Sequence, residues 1–222
     1  MTFQKNILAA GMALLLALPL AQSQDNTFSV MPFAGLTLAN AHPEIDLGFD
    51  PKYRTGFFAG ASLNFPIASK WSLPVDVQYA QRGFFYNTPG AFVQINNQTA
   101  VFRGRIDYRL GYLDFAPRLE FWPVQGLGIS AGAYLGFRLS ESVRYGDLIE
   151  WTNTKDLGLF ESSDFGLTGR LSGAFGPLTV FAAYQFGLSN ISNLEYTDDN
   201  GQSLGNLGLN NRSVFVGVGW RL

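Results

Sequence analysis

The stretch SVFVGVGWRL at 213–222 sets Val214, Val216, Val218, Trp220 and Leu222 against Phe215, Gly217, Gly219 and Arg221. That is a period of two, which reads as a strand with one apolar face and one small or polar face. Seven earlier runs alternate in the same way, so the eight together span approximately 28–38, 56–65, 71–84, 108–121, 127–140, 163–175, 178–189 and 212–222. Each is about ten residues or a little longer, the length a tilted strand needs to cross a bilayer. Apolar residues at helical spacing are absent over any two turns, so the expectation is an all-β chain.

The connections fall into two alternating kinds. PIASK, PVQG and GP join runs two to three, four to five and six to seven as short turns, while the other four connections are long, polar and rich in Asn, Asp and Gly. Runs five and seven show what the faces are made of. Leu127, Ile129, Ala131, Ala133, Leu135 and Phe137 oppose Gly128, Ser130, Gly132, Tyr134, Gly136 and Arg138, and Leu178 to Leu188 repeat the pattern. An apolar face turned inward would leave Gly, Ser and Ala to meet water, whereas small residues suit a narrow interior and lipid suits the apolar face. The pattern therefore predicts an eight-stranded antiparallel up-and-down transmembrane β-barrel. Both chain ends lie on its short-turn, periplasmic side, and the last strand pairs with the first so that no backbone edge meets lipid.

Composition adds the compartment. MTFQKNILAAGMALLLALPLAQSQ has one cation, a short apolar run and small residues before Gln24, the layout of a secretory signal peptide. The expected division is a signal peptide at 1–23 and a barrel domain at 24–222, with localisation in an outer membrane. Charged residues are 14%, below the roughly 25% of globular domains, although no later segment is apolar enough for a membrane helix. The mild acidic balance argues against nucleic acid, and without cysteine there is no thiolate chemistry.

Candidate residues follow from the faces. Phe65, Trp71, Phe121, Trp122, Phe175 and Trp220 fall beside the short turns or the C-terminus and are expected to form an aromatic ring at one membrane interface. Phe57, Phe84, Tyr108, Tyr112, Phe165 and Phe186 would form a looser ring at the other. Asp76, Arg82, Asp114, Arg118, Glu120, Arg138, Asp164, Arg170 and Arg221 read as inward charges. Eight strands enclose just enough space for side chains, so these charges must pair in a buried ionic network or line a narrow ion path, and both readings choose the same positions. Arg103, Arg105 and Arg109, where the second long connection enters run four, are candidate contacts to lipid A phosphates. His42, the sole histidine, lies near Glu44 and Asp46 in a loop-like stretch and is poor material for a catalytic site. DDNG at 198–201 lacks the further carboxylates of a calcium loop, and the NQT sequon at Asn97 has no evident role. No metal, cofactor or enzymatic activity is expected.

The order of QYAQRG at 78–83, YLDFAP at 112–117 and GLSNI at 187–191, with FAGLTL and the terminal strand, resembles the PorT-type outer-membrane β-barrel family of the Bacteroidetes lineage. The resemblance covers nearly the whole expected domain. It implies an eight-stranded barrel with no catalytic motif to carry over; some members are linked to protein secretion. The terminal strand also resembles the signal read by barrel assembly machinery, with Leu222 where Phe is usual. The expectation is a monomer with a filled lumen and a structural or binding role through four long external loops. Its partners would be outer-membrane lipids, lipopolysaccharide or an envelope protein. A small channel and a lipid-modifying enzyme are the alternatives.

Overall fold

A computed structural model describes residues 28–43, 50–95, 98–146, 150–193, 195–197, 203–206 and 208–222. The segment read as a signal peptide lies outside them, as do Glu44, Asp46, Asn97 and positions 198–201. Eight long strands form the barrel: β1 Ser29–Pro43, β2 Lys52–Ala68, β3 Trp71–Ile95, β4 Gln98–Val124, β5 Leu127–Tyr145, β6 Ser163–Phe175, β7 Leu178–Gly187 and β8 Leu209–Trp220. Each pairs antiparallel with its sequence neighbours. The ring closes between β1 and β8, in a register running from Phe33↔Gly219 to Pro43↔Leu209. This closure leaves no open edge in the hydrocarbon region, where an unpaired backbone group would have no water to turn to.

Three two-residue turns, at Ser69–Lys70, Gln125–Gly126 and Gly176–Pro177, mark the short-turn end. Gly126 takes φ of +84°, a left-handed value that residues with a Cβ avoid, which lets so short a turn reverse the chain. At the opposite end the strands run past the apolar band, furthest in β3 and β4. The stretch between runs three and four, expected to be a long loop, is instead a hairpin paired down to Ile95↔Gln98. Aromatic and β-branched residues such as Phe84, Phe85, Tyr86, Phe92, Val93 and Val101 favour extended backbone there, and the long partner strand supplies the hydrogen bonds.

Exposure follows the period of two. Leu36, Ile129, Leu167, Leu171, Val180 and Val218 are exposed, each between inward-facing neighbours, and this belt of large apolar side chains is what lipid would cover. Inside, the lumen is divided. Met31, Phe33, Phe58, Phe181 and Phe215 pack as an apolar cluster on the side formed by β1, β2, β7 and β8. The Phe58 ring is in contact with Phe215 at 5.2 Å and Phe33 at 5.9 Å between centroids. An added Cβ on Gly217 would come within 2.6 Å of that ring, so the glycine makes room for it. The opposite side, from β3 to β6, holds the charges.

Two ring assignments are corrected. Phe65, Trp71, Phe175 and Trp220 are exposed at the short-turn end, and Phe121 packs in a tilted arrangement against Trp71, with ring centroids 4.6 Å apart. Trp122, however, follows Phe121 directly, and alternation turns it inward, where its indole Nε1–H donates to Glu120 at 3.1 Å. At the other end Phe57, Phe165 and Phe186 face outward, but Phe84 and Tyr112 are buried. Both belong, with Leu110, Phe160, Ile191 and Leu209 and with Tyr108 packed against them, to an apolar plug. The even-numbered positions of β4 share the inward face, so Tyr108, Leu110 and Tyr112 continue the interior above the charges.

Candidate functional site

The inward charges assemble into two layers. In the first, Asp76 on β3 accepts two hydrogen bonds from Arg118 at 2.7 and 3.0 Å and one from Arg170 at 2.5 Å. Arg118 also donates to Ser130, and Arg170 lies 3.9 Å over the Phe181 ring, joining the polar half of the lumen to the apolar half. Glu120 accepts from Ser72 and Trp122. In the second layer Arg82 bridges Asp114 at 2.5 Å and Asp164 at 2.8 Å, stands between the Tyr112 and Tyr134 rings, and donates to Gln185. Gln78 donates to Asp114; Tyr134 and Asn211 donate to Asp164. The side chains of Arg82, Asp114 and Asp164 have no exposed surface. Charges this dry hold only because every one faces an opposite charge and further hydrogen bonds.

Above these layers the plug seals the lumen at the long-loop end, and the segment after β5 supplies its lid. Thr152–Asn153 adds a short strand to the outer end of β5, Lys155–Leu157 forms one 3-10 turn, and Phe160 then descends into the plug beside Phe84 and Tyr108. Arg138 fastens this segment through the Phe160 and Glu161 carbonyls and an ion pair with Glu141. Glu141 in turn accepts from Thr154 at 2.8 Å. Alternation alone would turn Glu141 outward. An extra residue in β5, between the pairs Gly111↔Ser140 and Tyr112↔Arg138, reverses the faces and brings Glu141 inside. Removing the Phe160 ring should loosen the lid while the barrel stays folded: Phe160→Ala is expected to raise the rate of tryptic cleavage after exposed Lys155 with heat-modifiable gel mobility unchanged.

Arg221 does not join the network. It lies beyond the end of β8, exposed at the short-turn mouth beside a small polar cleft, 5.8 Å from the Trp122 ring. His42 is exposed near the end of β1, opposite Asn210 of β8.

A second cluster lies on the outside of the barrel at the long-loop end. Arg103, Arg105, Asp107 and Arg109 are alternate residues of β4, which runs without a bulge through this region, so all four share the outward face with Phe115 and Leu119. Arg144 is the partner of Asp107 across β5. Asp107 accepts from Arg105 at 2.7 Å, from Arg54 of β2 at 3.0 Å and from Arg144 at 3.3 Å. Trp151, just ahead of the short strand, lies against Arg109 at 4.3 Å, Arg144 at 4.9 Å and Arg54 at 5.3 Å, while Arg105 covers Phe85 at 3.7 Å. The sequence signal for part of this cluster is R-x-R-x-D-x-R, a single-face pattern on a strand. Arg54, Arg144 and Trp151 carry no comparable signal, because they arrive from β2, β5 and a loop.

The model of the outer membrane protein beta-barrel domain matches residues 20–193. The chain belongs to that family. This outer-membrane barrel shares its fold with neisserial surface protein A, at 16% identity and a TM-score of 0.50, covering 86% of this chain and 96% of that one. OprG of Pseudomonas aeruginosa aligns at 11% identity and a TM-score of 0.42 over 89% and 97% of the two chains. The outer membrane protease OmpT of Escherichia coli aligns at 8% and 0.42 over 90% and 98%. No curated protein matches the chain at a significant level.

Proposed function

We propose that this barrel is a non-conducting, non-enzymatic anchor whose work is done by its long-loop end, facing the outside of the cell, with both chain ends in the periplasm. The observation that carries the reading is the fully buried Arg82 held between Asp114 and Asp164 beneath the Phe84–Phe160 plug. A lumen so occupied is closed at the level of Arg82 by the described residues, and an eight-stranded wall gives the side chains nowhere to withdraw. The export signal at 1–23, a C-terminal strand offered to assembly machinery, a monomeric state and kinship with PorT-type barrels belong to the same reading, supported by the motifs quoted above. Its contacts would be outer-leaflet lipid or an envelope partner met by the loops.

The test is single-channel recording of the refolded chain in a neutral planar bilayer, with heat-modifiable mobility confirming that the barrel has formed. A folded, silent barrel is the expected outcome. Discrete, salt-dependent openings would overturn it and make Asp76, Arg82 and their partners the lining of a path.

A further inference from the structure

We propose that the outward arginine cluster around Trp151 binds the phosphate groups of an outer-leaflet lipid headgroup, of the lipid A type. The inference rests on the orientation given under Proposed function, and extends it from a face of the barrel to a built site with named donors.

Three observations converge. The first is charge. Among the described residues, Arg54, Arg105, Arg109 and Arg144 gather about one carboxylate, Asp107, an excess of three positive charges that exposed Glu150, beside Trp151, lowers to two. The second is unfilled donor capacity. Each guanidinium carries five N–H donors, and the three that reach Asp107 do so by one hydrogen bond each. Arg54 Nη1, Arg105 Nε and Arg144 Nε are buried without a partner in the structure, and Arg109 lies against the Trp151 ring. Buried donors left unmade are costly, and an anionic oxygen satisfies several at once, most readily through the fork geometry that arginine offers to phosphate.

The third observation is height. Phe121, in the aromatic ring at the short-turn end, and Arg109 lie on the same outward face of β4, twelve residues apart. At about 3.4 Å per residue and a tilt of about 40°, that separation is roughly 30 Å along the barrel axis, the thickness of the hydrocarbon core. Arg109 therefore stands at the level where lipid phosphates begin, with Arg105 and Arg103 above it and apolar Phe115 and Leu119 below. A soluble ligand has no reason to prefer this level, whereas a lipid anchored by its acyl chains beside Phe115 carries its phosphate to it. Trp151 gathers three of the guanidiniums within 5.3 Å of its ring, which holds them together for one anion.

The experiment uses the refolded full barrel in neutral phosphatidylcholine nanodiscs. The discs are titrated with phosphorylated lipid A, with lipid A stripped of phosphate, or with soluble pyrophosphate, and tryptophan emission is followed. Trp151→Phe identifies the share of the signal due to that ring. Phosphorylated lipid A is expected to give a saturable shift that Trp151→Phe abolishes. The pair Arg109→Gln and Arg144→Gln should weaken binding about tenfold or more, corresponding to about 1.4 kcal/mol, with heat-modifiable mobility retained. Equal binding of dephosphorylated lipid A, or an unaltered curve for the arginine pair, would overturn the proposal. Saturation by pyrophosphate at the same concentration would overturn its assignment to a membrane lipid. Because no conductance is measured and the disc is neutral, failure here leaves the closed lumen standing; channel openings would strike that reading and leave this site untouched.

Discussion

Asp76→Ala should cost the barrel about 3–5 kcal/mol in reversible urea titrations. The reason is the sharing of one carboxylate. Arg118 and Arg170 are almost wholly buried and both bond to Asp76, at distances down to 2.5 Å. Without it, two almost wholly buried guanidiniums are left with no carboxylate between them, with Glu120 already engaged by Ser72 and Trp122. Changing the entire cluster to apolar residues of similar shape, Asp76→Leu with Arg118→Met and Arg170→Met, should recover most of the loss, because it removes the desolvated charges together. A cost for Asp76→Ala below about 1 kcal/mol, the range of solvent-exposed ion pairs, would mean that water reaches the arginines and that the lumen is not dry.

On the lipid side, Leu135→Arg should cost about 2–4 kcal/mol, against a smaller loss for Leu135→Ala. Leu135 sits near the middle of β5, between Phe115 of β4 and Phe165 of β6 on the outward face, so an arginine there must carry its charge into hydrocarbon or bend toward a headgroup. Ser172→Arg tests the opposite face. Ser172 is buried in the lumen, opposite Gly128 and Phe181, and there the penalty is one of volume. Phe181→Ala should therefore relieve Ser172→Arg in part, while no change in neighbouring volume should relieve Leu135→Arg. Refolding titrations of the four variants measure this, and equal tolerance of Arg and Ala at position 135 would reverse the face assignment.

Much of this architecture is legible along the chain because alternation is a local property. A strand placed between lipid and a packed lumen must present unlike faces at every second residue. The existence of eight strands, the turns that join them, and the inward placement of Asp76, Arg82, Asp114, Arg118, Glu120, Asp164 and Arg170 therefore follow from sequence order and the two solvents. The same rule, applied strictly, would have turned Trp122 inward beside Glu120 and put Tyr112 in the interior with Asp114, since neighbours cannot share a face. It would also have placed Arg103, Arg105, Asp107 and Arg109 together on the outside.

Partnership was decided only by the closed ring. Asp76 meets Arg118 and Arg170 across separations of 42 and 94 residues, set by the stagger of the strands, which no single strand encodes. The extra residue in β5 reverses its faces and delivers Glu141 to Arg138, because a bulge breaks the period on which the reading depends. Arg54, Arg144 and Trp151 likewise reach Asp107 and Arg109 from three separate elements. Sequence by itself determined the number of strands and the solvent each face meets, for these depend on neighbours along the chain. The tertiary structure alone decided which charges pair, what plugs the mouth and where arginines collect, for these depend on register around a closed barrel.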